Sequence, residues 1–116
     1  MRGLVERIVD AAGRLPELQD ELRIAEYKAR RPAGRAEDHA SHEQAASRLR
    51  SAEEELASAV RRLDELGVQL KDPATGLVDF LSYRDGELVE LCWKLGEERV
   101  AHWHRIGEGY AGRKPL

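Results

Sequence analysis

The sequence predicts an α+β chain, mostly α, in which a long antiparallel helical hairpin is followed by a small C-terminal antiparallel β unit. Three observations predict it. Two apolar stripes share a heptad period, a proline and a glycine separate them, and the period changes to alternation around an Asp-Gly pair after Gly67. The chain has 116 residues, room for a single domain over 1–116, with the hairpin over 1–67 and the β-hairpin unit and tail over 68–116.

The first stripe is Leu4, Ile8, Ala11, Leu15, Leu18, Leu22, Ala25 and Ala29, spaced four and three in turn, as in a coiled coil. Pro16 lies inside it and predicts a kink or break between Ala12 and Glu17, because proline removes one helix hydrogen bond and clashes with the carbonyl four residues back. Pro32 and Gly34 end the helix, which places a connection at roughly 31–37. The second stripe is Ala45, Leu49, Ala52, Leu56, Ala59, Leu63, Leu66 and Leu70. It begins near Ser41, which with Gln44 has the form of a capping box, and Asp38 is a rival cap. Alanine recurring every seven residues lets two helix axes approach closely, and Gly67 is the C-terminal stop. Each helix is then about 25 to 30 residues, giving a hairpin roughly 40 Å long.

Val5, Val9, Ile24, Tyr27 and Val60 lie off these stripes and need cover, either from the C-terminal unit or from a second copy of the chain. A two-fold homodimer forming a four-helix bundle is the simplest arrangement that covers so long a hairpin.

Asp72-Pro73-Ala74-Thr75-Gly76 is a turn. Leu77 to Tyr83 and Glu87 to Leu95 then flank Asp85-Gly86, the preferred pair for a type I′ hairpin turn. That turn sets Arg84 opposite Glu87, Ser82 opposite Val89, Phe80 opposite Leu91, Asp79 opposite Cys92 and Val78 opposite Trp93. Val78, Phe80, Val89, Leu91, Trp93 and Leu95 form the face to be buried, while Asp79, Leu81, Glu90, Cys92 and Lys94 form a mixed face. Val100 to Ile106 reads as a third strand, with helix as its alternative. If Trp103 lies beside Trp93, His104 falls beside Cys92, which already faces Asp79. Gly107 to Leu116 is expected to wrap the surface or an adjoining subunit.

Leu70-Lys71-Asp72-Pro73, Gly76-Leu77-Val78-Asp79-Phe80, Leu91-Cys92-Trp93, Gly96-Glu97, Trp103-His104 and Gly112-Arg113-Lys114-Pro115-Leu116 resemble the bacterial family DUF2203. The resemblance is specific in the last fifty or so residues and loose in the helices. It implies a bacterial origin and a shared architecture without an activity. It also places Asp72, Asp79, Cys92, Trp93, Glu97, Trp103, His104 and Arg113 at the family pattern's positions. That pattern usually carries a Phe-Thr-x-Glu-Glu-Ala-type segment ahead of the first helix, whereas Met1 already lies inside it here. A frayed first turn or an upstream start is the expectation.

The net charge of -3, with acids and bases interleaved, offers no global field for nucleic acid or an anionic membrane. Cys92 is the only cysteine, so an internal disulfide is excluded. No apolar run approaches the length of a membrane span, and a cytoplasmic protein is the default. Asp79, Cys92 and His104 are the candidate metal ligands, a possible divalent-metal site or a thiolate–imidazole pair; the plainer alternative is a structural hydrogen-bond cluster. His102 and His104, two apart on one strand face, are a further pair. Trp93, Trp103, His102 and Arg113 are assigned to a ligand or partner surface, the tryptophans having a core role as their alternative.

His39, His42 and Glu43 match neither zinc-protease order and read as solvated helix-start residues. Lys28, Arg30, Arg31 and Arg35 make a basic hairpin tip without the interleaved aromatics of a nucleic-acid reader. No phosphate loop, nucleophile elbow or paired-carboxylate signature supports an enzyme. The expected function is therefore a non-catalytic interaction or assembly protein dimerising through its hairpin. A small metal- or ligand-binding protein centred on the C-terminal β unit is the alternative.

Overall fold

Both heptad stripes form helices. In a computed structural model describing residues 1–116, α1 spans Arg2–Arg30 and α2 spans Ala36–Glu65, packed together as a hairpin. The helix runs unbroken through Pro16, so the expected break does not occur. Pro16 is exposed, and one lost hydrogen bond is outweighed by the packing of a 29-residue helix against its neighbour.

The second helix begins at Ala36, five residues before Ser41. Its cap is Arg35, whose backbone N–H donates to the Asp38 carboxylate at 2.9 Å, and Glu37 and Asp38 place negative charge at the positive end of the helix. The connection shrinks to residues 31–35. At the other end Gly67 takes φ 77°, a conformation that glycine adopts without strain, and turns the chain into the sheet. Leu66, assigned to the stripe, is 63% exposed, and Leu70 lies on a strand.

That strand is β1, Val68–Asp72, which the heptad reading had absorbed. It is followed by β2 Leu77–Arg84, β3 Glu87–Lys94, β4 His102–Arg105 and β5 Lys114–Pro115, in spatial order β1-β2-β3-β4-β5 with every neighbour antiparallel. Asp72 shapes the first turn through its carboxylate, which accepts from the Ala74 N–H at 3.0 Å and the Thr75 hydroxyl at 2.8 Å. The β2–β3 register is the one the Asp-Gly turn dictates, from Arg84 opposite Glu87 to Val78 opposite Trp93, and Asp85 and Gly86 both have positive φ.

The third segment is a strand, shorter than expected and two residues out of the expected register. Trp103 lies opposite Leu91, His102 opposite Cys92 and His104 opposite Glu90. The connection after β3 sets this offset, because the Glu97 N–H donates to the Lys94 carbonyl and the Glu97 carboxylate accepts from the Lys94 N–H at 2.7 Å. A shift of two leaves every side chain on its intended face. The tail lies along its own chain's sheet, where β5 pairs with β4 and the Leu116 N–H donates to the Ala101 carbonyl.

The core lies where the base of the hairpin meets the sheet: Val5, Ile8, Ala59, Leu63, Val68, Val78 and Trp93. Gly76 lets the β1–β2 turn press on α1; a Cβ there would come within 2.7 Å of Val5 Cγ1 and 2.8 Å of Leu95 Cβ. Away from the base, the only buried residues of the hairpin are Ala11, Ala25, Ala45 and Ala52. Of the off-stripe residues, Val5 is buried and Val9 and Val60 pack on the core, whereas Ile24 and Tyr27 stay 56% and 71% exposed. The result is a rod of 69 × 24 × 23 Å with a radius of gyration of 19.6 Å, against about 13 Å for a compact chain of this length.

Candidate functional site

Three adjacent strands aim polar side chains at the sheet face turned away from the helices. β2 contributes Asp79, β3 contributes Glu90 and Cys92, and β4 contributes His104. Asp79, Cys92 and His104 are 3%, 0% and 1% exposed, and one potential ligand atom from each lies within 4.8 Å of the other two. The expected convergence of these residues is present. It survives the changed register because the displacement was even.

The hydrogen bonding constrains the protonation of His104. Its Nδ1 is 2.9 Å from the Arg105 carbonyl, which only accepts, so Nδ1 carries a proton. Its Nε2 lies 3.1 Å from Asp79 Oδ2. Burial alone would lower the His104 pKa, but the Arg105 carbonyl and the Asp79 carboxylate outweigh it and raise the pKa above the usual histidine value. Asp79 Oδ1 meets no N–H or hydroxyl donor, and the groups beside its carboxylate are the Cys92 thiol and the Glu90 carboxyl. Burial, and after it the neighbouring Asp79 carboxylate, pushes the Cys92 thiol up to about 11. A thiol so held is protonated and a poor nucleophile, which removes support from the thiolate–imidazole reading.

Glu90 was not among the expected site residues. Burial, then the adjacent Asp79, raises its pKa, and it shares with Asp79 the wall of a groove of about 270 Å³ running past Gly67 and Gln69 at the end of α2. The signal for Glu90 was its place two residues before Cys92 on one strand face; its position opposite His104 shows only in the observed register.

The other expected residues do not join this cluster. His102, although opposite Cys92 in register, turns its Nδ1 to Arg113, so the two histidines do not form a pair. Arg113 donates to both Glu97 carboxylate oxygens, at 2.7 and 3.0 Å. Burial works against ionisation of Glu97, but the Lys94 N–H and the Arg113 guanidinium outweigh it and lower the Glu97 pKa. Trp93 is a core residue rather than part of a partner surface; it is 2% exposed, and its indole N–H donates to the Glu97 carbonyl at 3.1 Å. Trp103 is half-buried, with Arg84 and Lys114 4.8 and 5.0 Å from its ring centre. His42 stands 3.7 Å from Glu26 across the hairpin, an ordinary surface pair.

Fold and site together define a two-helix hairpin capped by a five-stranded meander that buries an Asp–Cys–His cluster. The family described as "Uncharacterized conserved protein (DUF2203)" matches residues 1–116, the whole chain, and the protein belongs to that family. No curated protein and no solved structure matches it. No helix is long and apolar enough to cross a membrane.

Proposed function

We propose that the protein is a non-catalytic assembly protein that pairs with a second copy of itself through the helical hairpin. The observation that carries this reading is surface area. The chain exposes 7668 Å², roughly 1,300 Å² more than the ~6,400 Å² usual for a monomer of 13.1 kDa. A stable interface takes about 800 Å² from each partner, so the excess is large enough for one.

The excess has a place in the fold. Leu15, Leu18, Leu22, Leu49 and Leu56 remain only half-buried, and an open groove of about 580 Å³ is lined by Val9, Leu15, Pro16, Leu56, Pro73 and Ala74. A second hairpin supplies the missing layer. A single buried thiol suits a reducing compartment and supports a cytoplasmic setting.

Light scattering on the full chain at tens of micromolar tests the pairing. The expected mass is twice 13.1 kDa, falling to one chain when Leu18→Glu and Leu22→Glu are combined. A wild-type protein that stays at the mass of one chain sinks the reading.

A further inference from the structure

We propose that Asp79, Cys92, His104 and Glu90 form a binding site for a zinc-like divalent cation. The donor set is mixed, one thiol sulfur, one imidazole nitrogen and carboxylate oxygens. That mixture suits a borderline-soft ion such as Zn²⁺ better than magnesium or calcium, which take oxygen alone.

Geometry favours a cation over a closed hydrogen-bond cluster. In a tetrahedral zinc site neighbouring donor atoms stand about 3.3–3.6 Å apart, as follows from the usual metal–ligand lengths. His104 Nε2 and Asp79 Oδ2 are already 3.1 Å apart, and the three-residue set lies within 4.8 Å, so closing on an ion needs side-chain adjustment of an ångström or so and no change of strand register. His104 is oriented as metal-bound histidines are. Its far nitrogen is fixed on the Arg105 carbonyl, and Nε2 is aimed at the other donors.

Asp79 Oδ1 supplies the independent indication. Apart from the Cys92 thiol and the Glu90 carboxyl, both proposed ligands themselves, Asp79 Oδ1 meets no donor although its residue is only 3% exposed, a costly arrangement that a bound cation relieves. Glu90 sits opposite His104 and beside Asp79, outside the three-residue set, and turning its side chain inward would supply the fourth donor. The groove that Asp79 and Glu90 share reaches solvent past Gly67 and Gln69 and gives the ion a route inward. As the metal–sulfur bond forms, the Cys92 proton leaves to solvent, and any proton on His104 Nε2 or the Glu90 carboxyl leaves with it. Thiolate and Asp79 carboxylate then balance the two positive charges of the ion, and Glu90, bound as a carboxylate, leaves the site with one net negative charge.

Cobalt(II) and zinc titrations of the full chain, stripped with chelator and kept reduced, test the site. The expected result is one ion per chain. Cobalt should give a near-ultraviolet sulfur-to-metal charge-transfer band together with the intense visible bands of four-coordinate cobalt, and both should be displaced by zinc. Cys92→Ser should abolish the charge-transfer band, Glu90→Gln should weaken cobalt binding by at least about tenfold, and His42→Ala should change neither. Should Cys92→Ser lose its helical circular dichroism, Asp79→Asn and Glu90→Gln carry the test in its place. Failure to bind one ion per chain overturns the proposal, as does binding without the sulfur band or binding unchanged in Asp79→Asn and Glu90→Gln. Light scattering on the same samples separates this outcome from the pairing reading, which stands or falls with the mass alone.

Discussion

The two ends of this rod are held together by different means. At the base, large side chains from both helices and three strands interlock, and Trp93, Ile8, Leu63, Val5 and Val78 are essentially sealed from water. Along the shaft, the buried positions are alanines, and the leucines beside them stay half-covered. Alanine every seventh residue brings two helices close but buries little area, whereas leucine and tryptophan bury much more. The base therefore has a core of its own within one chain, and the shaft, which has none, depends on its attachment to the base.

The strongest way to break this contrast is at the base. Trp93→Ala is expected to destabilise the protein by about 3–5 kcal/mol, read from the urea midpoint, and to loosen the whole chain because the shaft has no comparable core of its own. Pro16→Ala acts on the shaft in the opposite sense. It restores a helix hydrogen bond and is expected to add up to about 3 kcal/mol, seen as a higher midpoint and as slower amide exchange near residue 16. An unchanged midpoint would show that the helix has already adapted to its proline. Ala52→Leu places a bulky group where the helices touch and is expected to cost about 1–3 kcal/mol, with faster amide exchange in the shaft than in the sheet. Equal acceleration in both would mean that base and shaft open as one unit.

The smallest expected effect concerns pH. The Glu97 pKa is lowered in the folded protein, so its contribution is present above the ordinary carboxylate value of 4.5 and is lost as pH falls through the folded value. Glu97→Gln should flatten the decline in urea midpoint below that pH, and an unchanged profile would show that Glu97 is not what ties the tail to the sheet.

What could be read from the sequence follows the reach of each interaction. The β2–β3 register was legible because a two-residue turn fixes it locally, and the hairpin because its period repeats over many turns. β1 was missed because Leu70 satisfies both the heptad of the helix and the alternation of a strand, and Gly67 alone decides between them. The β4 offset depends on Glu97 holding the preceding turn, and β5 on pairing far along the chain, neither of which leaves a local pattern. Asp79, Cys92 and His104 were found despite the wrong register because alternation tolerates a slip of two. Glu90 needed the true one.

The sheet is a meander in which each strand pairs with its sequence neighbour, so it can assemble as it is made. The start of α1 is different. Arg2 donates to the carbonyl of Glu97, 95 positions away, and Val5 and Ile8 meet Trp93 only at the far end of the chain. At ribosomal speeds of about 5–20 residues per second, the first apolar turns can meet Ala59 and Leu63 earlier but wait roughly 5–20 s for Trp93 to complete their core. During synthesis the amino end is thus the part of the molecule most open to chaperones.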